Sequence, residues 1–169
     1  MTAEQFFFYV FGAGMLAGAL GVVGARNPVN GALSLVTSFF FLAGLYVLLN
    51  AHFMAVLQIL VYAGAIVVLF LFVLMLLNLG DDEHGKAKIS LTKLAGVGSG
   101  AAVMVTLMGA FTGMRDAGLT RGTELAADFG SIEVVGRVML SRYVLPFEMV
   151  SVLLLTGIVG AVVVAKRRL

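Results

Sequence analysis

The sequence contains no cysteine, and only 12% of its 169 residues are charged. Without cysteine the chain has no disulfide, no thiolate metal site and no cysteine nucleophile. We also expect that this chain binds no redox cofactor of its own. The net charge of +2 and the pI near 9.2 do not indicate nucleic-acid binding, because the basic residues lie at the ends of apolar segments, where they orient a membrane protein.

Hydrophobic side chains, by contrast, are abundant. They make up 61% of the chain, whereas soluble domains contain roughly 45 to 50%. The mean hydropathy is +1.08. This composition predicts an integral membrane protein in contact with the lipid bilayer.

Five apolar stretches are long enough for a helix to cross a hydrocarbon core of about 30 Å, which takes roughly 20 residues. We therefore predict an all-α membrane protein with five transmembrane helices in a single domain, residues 1–169. The predicted spans are residues 5–25, 28–49, 54–79, 94–114 and 143–165. Proline is tolerated in the first turn of a helix, so the second span is expected to begin at Pro28. The short link Asn50-Ala51-His52 makes spans two and three an antiparallel hairpin.

The middle of the third span contains polar and small residues. Gln58 and Tyr62 are four residues apart and therefore share one face of an α-helix. Ala63, Gly64 and Ala65 follow them directly. A polar group in hydrocarbon costs free energy unless a partner satisfies it. We infer that this part of the helix faces protein or water.

Two spans have faces of small residues. Gly14, Gly18 and Gly21 recur at helical spacing in the first span, and Gly96 and Gly100 do so in the fourth. Such faces let membrane helices approach closely. We favour this interpretation over a phosphate loop for the fourth span, because no βαβ context surrounds its glycines.

The polar connections contain two further features. Asp81, Asp82, Glu83 and His84 are metal-ligating residue types, but we favour a simply solvated loop, since their spacing suits no one coordination geometry. Residues 131–140 predict a short amphipathic helix at the membrane interface.

Glu148 lies about six residues inside the boundary of the last span, which is roughly 8 Å along a helix. Two interpretations remain open. The carboxylate either lies near the headgroups, favoured by the helix N-terminus near Pro146, or is a buried, protonatable group that faces a neighbouring subunit or a water-filled path. The shallow depth favours the first.

The distribution of basic residues predicts the orientation of the chain. With five spans, one side of the membrane receives most of the Lys and Arg residues: Arg26, Lys86, Lys88, Lys93, Lys166, Arg167 and Arg168. Because positive loops stay inside, we expect the N-terminus outside and the C-terminus in the cytoplasm.

Three segments carry a family resemblance. They are NPVNGALSL at residues 27–35, VYAGAIVVLFLFVLMLLNL at residues 61–79 with Gln58 before it, and YVLPFEMVSVLLL at residues 143–155. These segments resemble the family that contains subunit J of bacterial proton-pumping NADH-quinone oxidoreductase, respiratory complex I, and subunit 6 of its mitochondrial relative. The first and fourth spans are similar only in hydropathy and length.

The resemblance implies a subunit near the junction of the membrane arm with the quinone-binding region, in a multi-pass arrangement in the bacterial inner membrane. NADH, FMN, iron–sulfur clusters and quinone would be bound by partner subunits, and no activity is expected from this chain alone. The expected partners are the other membrane-arm subunits and the lipid bilayer, without nucleic acid.

In that family the third helix carries a π-bulge that relaxes to a regular α-helix and rotates the bulky residues beyond it. By position, the resemblance implies a bulge around Tyr62 to Val67, with Phe70 among the side chains that swing. The resulting gate would help couple quinone reduction to proton translocation. The implied gate and proton path comprise Gln58, Tyr62, Gly64, Val67, Phe70 and Glu148. The position of Gln58 is a glutamate in some relatives, so a charge is absent here.

Other functions remain open at this point. Gln58, Tyr62 and Gly64 also fit a static interhelical hydrogen bond with close packing, and the whole chain fits a purely structural subunit of the same complex. A stand-alone small transporter is a third alternative, although it should show intramembrane charges along a pathway or paired broken helices. A related complex with a different electron donor also fits, because the donor is bound elsewhere.

Overall fold

A computed structural model describes residues 2–77, 91–116 and 128–166 of the chain. Within these ranges every regular element is a helix. The helices are α1 (Ala3–Gly24), α2 (Pro28–Leu48), α3 (His52–Leu76), α4 (Leu91–Asp116), α5 (Ile132–Ser141) and α6 (Val144–Ala165). Helix α3 is joined from three parts: α-helical His52–Leu57, π-helical Gln58–Ile66 and α-helical Val67–Leu76.

Four of these helices, α1, α2, α3 and α6, are long and apolar enough to cross a membrane. In α4 the apolar stretch among the described residues is Gly98–Met114, which is shorter than the stretches in those four helices. The predicted all-helical architecture is therefore confirmed for the described residues, and the fourth span at residues 94–114, and with it the count of five, stays a prediction.

The chain divides into two compact units. The first contains α1, α2, α3, α5 and α6, and the second contains α4. The prediction of a single membrane domain is not tested by this division. The metal-ligating residue types at positions 81–84 lie outside the described residues.

Local caps define where the first two helices begin. The Thr2 hydroxyl accepts a hydrogen bond from the Gln5 amide at 3.4 Å, and the Gln5 side chain accepts one from the Thr2 amide at 3.2 Å. This reciprocal pair is a capping box, which satisfies amides that a helix start leaves unpaired. Asn27 caps α2 by accepting from the Val29 amide at 2.8 Å, and α2 starts at Pro28, where the sequence predicts it.

Glycines of α1 lie directly against side chains of α2. The pairs are Gly14 with Phe41, Gly18 with Ser38, and Gly21 with Ser34. A Cβ on Gly18 would lie 2.9 Å from the backbone nitrogen of Ser38, so only glycine permits this approach. The Ser38 hydroxyl, in a side chain that is 6% exposed, donates to the Met15 carbonyl at 3.0 Å. The small-residue face of α1 therefore forms a close helix pair with α2.

Candidate functional site

The candidate site is the π segment of α3, the nine residues Gln58–Ile66. At its end the Val67 amide donates to the Tyr62 carbonyl, five residues earlier. An α-helix closes its hydrogen bonds over four residues, so each turn here is wider by one residue. Such π-helical turns inside α-helices occur frequently at functional sites.

Gly64 lies close to the backbone of this widened turn. A Cβ added to Gly64 would lie 3.1 Å from the carbonyl oxygen of Ile59, five residues before it. A side chain there would therefore press on the backbone of the π segment. The small residues Ala63 and Ala65 flank this position, which explains locally why the wide turn forms here.

The π segment also determines which residues face α2. Helix α2 packs against all three parts of α3, and Gln58 and Val67 are only 6% and 3% exposed. A regular helix advances about 100° per residue, so nine residues would turn it about two and a half times and put Gln58 and Val67 on opposite faces. The wider turns of the π segment make only about two whole turns between Gln58 and Val67, so both residues lie on the same, buried face.

The predicted bulge, Tyr62 to Val67, overlaps this segment, but its bounds differ. The segment starts at Gln58, and Val67 already belongs to the following α-helical part. With the start at Gln58, the widened turns bring both Gln58 and Val67 to buried positions.

Tyr62 and Gln58 have different surroundings. The Tyr62 side chain is 47% exposed, and its ring meets Phe39 of α2 edge to face, with centroids 5.9 Å apart at 80°. In the described part of the chain, one side-chain hydrogen bond joins two helices, that of Ser38 to Met15, and neither Gln58 nor Tyr62 makes one. Among these residues no fully enclosed side-chain nitrogen or oxygen lacks a partner. Within the described residues, neither the amide nor the phenol forms a hydrogen bond to another helix of this chain, and the interpretation as a static interhelical hydrogen bond stays untested.

Phe70 lies one turn beyond Val67 and is 49% exposed. With Leu74 it lines a groove of about 230 Å³ beside the link between α1 and α2. The other side of this groove includes Ala25, Asn27, Pro28 and Leu35. Rotation of the Val67–Leu76 part would move Phe70 out of this groove.

Glu148 is not brought to this site. It is the fifth residue of α6, and α6 packs against α5 without a comparable contact to another described helix. No residue of α6 is buried. The Glu148 backbone carbonyl accepts a 2.7 Å hydrogen bond from the Ser151 hydroxyl, and the carboxylate is exposed. Both interpretations of Glu148 stay open.

A turn far along the chain also contacts α3, which the sequence did not predict. The Phe53 amide in the first turn of α3 donates to the Gly130 carbonyl at 3.0 Å. Asn50 and Gly130 have φ values of 57° and 74°, a conformation that glycine adopts freely and asparagine tolerates. In the sequence, the residue types Asn50 and Gly130 were the one indication of turns at these positions. The amphipathic helix predicted at residues 131–140 is α5, capped by the Ser131 hydroxyl, which accepts from the Val134 amide at 3.3 Å.

The described residues contain no group of three or more His, Cys, Asp or Glu side chains that could hold a metal ion. The polar side chains of the π segment are the amide of Gln58 and the phenol of Tyr62.

Comparison with known proteins identifies the family. The family model described as NADH-ubiquinone/plastoquinone oxidoreductase chain 6 matches residues 18–164. The chain belongs to this family. The matched residues include the whole of α2 and α3 and nearly all of α6, so the resemblance seen in the sequence is confirmed.

Individual members of the chain 6 family are similar over most of their length. NADH-quinone oxidoreductase subunit J of Escherichia coli (strain K12) is 37% identical, covering 93% of this chain and 84% of its own. The chloroplastic NAD(P)H-quinone oxidoreductase subunit 6 of Staurastrum punctulatum is 35% identical over 99% of this chain and 93% of its own. F(420)H(2) dehydrogenase subunit J of Methanosarcina mazei is 39% identical over 88% of this chain and 82% of its own.

Proposed function

We propose that this chain is a membrane-arm subunit of a proton-translocating NADH-quinone oxidoreductase, respiratory complex I, in which α3 switches between two conformations. The observation that carries the proposal is the nine-residue π segment between two α-helical parts of one membrane-length helix. A wide turn of this kind between two α-helical parts is a two-state element when it converts to the α-helical form.

The size of the switch follows from the helix geometry. Gln58 and Val67 both face α2 across the π segment. Conversion to regular α-helix would add about half a turn between them, at about 100° per residue. If Gln58 stays in place, Val67 turns outward and Leu69, now 66% exposed, turns toward α2. Phe70 leaves its groove in the same movement.

This rotation supplies a gate for water and protons. When an apolar side chain such as Phe70 moves away, a chain of water molecules can enter next to Gln58 and Tyr62. When the side chain returns, it excludes that water. The phenol and the amide orient that water or bind carbonyl groups released by the change. Quinone reduction in a neighbouring subunit is then coupled to proton translocation by the conformation of α3.

The catalytic groups belong to partner subunits in this proposal. NADH, FMN, iron–sulfur clusters and quinone are bound there, and this chain contributes conformational coupling. The relatives support a membrane subunit that is independent of the electron donor, since their names specify NADH, NAD(P)H and F(420)H(2) at 35 to 39% identity.

We further propose five spans in the bacterial inner membrane, with α4 as the fourth. The apolar stretch Gly98–Met114 within the 26-residue helix α4 supports this count. The excess of basic residues on one side then places the N-terminus outside and the C-terminus in the cytoplasm.

Substitution at Gly64 tests the switch. Alanine favours α-helix over glycine by about 1 kcal/mol, and its Cβ would press on the Ile59 carbonyl of the π form. We therefore expect Gly64→Ala, and more strongly Gly64→Val, to bias α3 toward the α-helical form. Proton pumping should fall more than electron transfer when both are measured in the same membrane vesicles.

Gly12→Ala and Gly12→Val are the matched controls, because a Cβ at Gly12 meets nothing within 4 Å. A purely structural subunit, which the close α1–α2 pair favours, predicts that Gly64 variants change the amount of assembled complex and leave the number of protons pumped per electron intact. That outcome would remove the switch.

A further inference from the structure

Helix α3 lacks a cap from its own sequence. Its N-cap residue is Ala51, which has no side-chain hydrogen-bonding group. The first four amides of a helix have no partner within the helix. One of them, that of Phe53, is satisfied by the Gly130 carbonyl at 3.0 Å. The cap of α3 therefore comes from a segment that is distant in the sequence.

The capping segment is the turn Asp128–Gly130, here named the anchor turn. It is closed by a 3.1 Å hydrogen bond from the Ser131 amide to the Asp128 carbonyl, and Gly130 occupies the third position with φ 74°, as the third residue of a type II turn does. A Cβ on Gly130 would collide with the Asn50 carbonyl and lie 3.0 Å from the Ala51 Cα. The anchor turn is therefore seated directly on the link between α2 and α3.

We propose that the anchor turn holds the N-terminal part of α3 in place, so that conversion of the π segment rotates the C-terminal part. This inference rests on the proposed function, in which the residues beyond the π segment turn, and it identifies the contact that fixes the other end of α3. Since α5 follows the anchor turn directly, a displacement of α5 would loosen the fixed end.

The two parts of α3 are held very differently. The N-terminal part has the Gly130 cap, and the link before it is tied to α2 by a 2.9 Å hydrogen bond from the Ala51 amide to the Tyr46 carbonyl. Ala55 in this part is 4% exposed. The C-terminal part, Val67–Leu76, likewise has one buried residue, Val67. The two parts therefore differ in the backbone hydrogen bonds to Gly130 and Tyr46, which lie at the N-terminal end.

Two reversible clamps separate this inference from the switch itself. The chain has no cysteine of its own, so pairs introduced into it can be bridged by a short bis-methanethiosulfonate reagent and released by dithiothreitol; complexes that carry each single cysteine control for thiols of partner subunits. Clamp A joins Met54→Cys to Val135→Cys, positions that line one cavity between α3 and α5. Clamp B joins Leu35→Cys to Leu74→Cys, which line the groove beside the C-terminal part.

Pumping and electron transfer are measured in vesicles that contain the intact complex, before and after bridging. We expect clamp B to abolish pumping and clamp A to leave it unchanged. Loss of pumping with clamp A overturns the proposal that the anchor turn holds a fixed end. If clamp B abolishes pumping as well, the proposed switch of α3 is still supported. Pumping that survives both clamps overturns the switch and the inference that rests on it.

The anchor turn itself is tested by Gly130→Ala. Its control is Gly136→Ala in α5, where a Cβ meets nothing within 4 Å. Loss of pumping with electron transfer retained, restored by clamp A in the same variant, supports the inference. Equal pumping in the two variants overturns it. Should Gly130→Ala fail to assemble, the clamp experiment still decides, because it leaves Gly130 unchanged.

Discussion

Gly64 and Gly130 constrain α3 in different ways. Gly64 leaves space for the Ile59 carbonyl inside the π segment, whereas Gly130 lets a distant turn approach Asn50 and Ala51. The first lies in the stretch that the sequence singles out, where Gln58 and Tyr62 bring polar groups into an apolar span. The second could not be predicted, because its partner is about 80 residues away in the chain and only the folded backbone brings them together.

Tyr62 gives the prediction at this scale. Tyr62→Phe keeps the edge-to-face contact with Phe39 and removes only the hydroxyl. If the hydroxyl binds water or a carbonyl during the switch, loss of one hydrogen bond, worth about 0.5 to 1.5 kcal/mol, should reduce pumping by a factor of about 2 to 10 with assembly unchanged. Tyr9→Phe in α1, where the ring is 62% exposed, is the control. Pumping by Tyr62→Phe at the Tyr9→Phe level would exclude the phenol from the proton path.

At the scale of the elements, apolar length and proline placement were sufficient to predict α1, α2, α3 and α6. The position of the π segment was predicted only in part, from the family resemblance. Its start at Gln58 depends on burial against α2 at both Gln58 and Val67, which is a tertiary property. Local sequence preferences carry no information about which residues nine positions apart must face the same neighbour.

The α1–α2 pair gives the prediction at this scale. Gly18→Leu would force side-chain atoms into the Ser38 backbone, and such overpacking costs about 1 to 3 kcal/mol. We expect less assembled complex on native gels, with normal coupling in the complex that remains. Gly12→Leu, at a position with open space, should assemble normally. Equal assembly of the two variants would show that α1 does not need its close approach to α2.

At the scale of the whole molecule, much apolar surface is left for other chains and lipid. No residue of α6 is buried by the described chain, and α1 likewise has none. Membrane helices associate through packing and hydrogen bonds rather than through exclusion from water, so sequence hydropathy did not predict which faces meet partners. The proposed subunit role explains the exposure of α6, because a helix that its own chain does not cover is available to a neighbouring subunit.

Glu148 is where this surface carries a charge. It lies in the second turn of α6, about 6 Å along the axis from Val144, and α3 does not supply its partner. If a neighbouring subunit completes a proton path there, Glu148→Gln should lower pumping several-fold with the complex intact, and Glu148→Asp should retain part of it. Pumping and assembly are measured in the same vesicles. Unchanged pumping in Glu148→Gln would instead support a carboxylate at the membrane surface, stabilised by the N-terminal dipole of α6 by about 0.3 to 1 kcal/mol. The proton path would then be formed by groups of other subunits without Glu148.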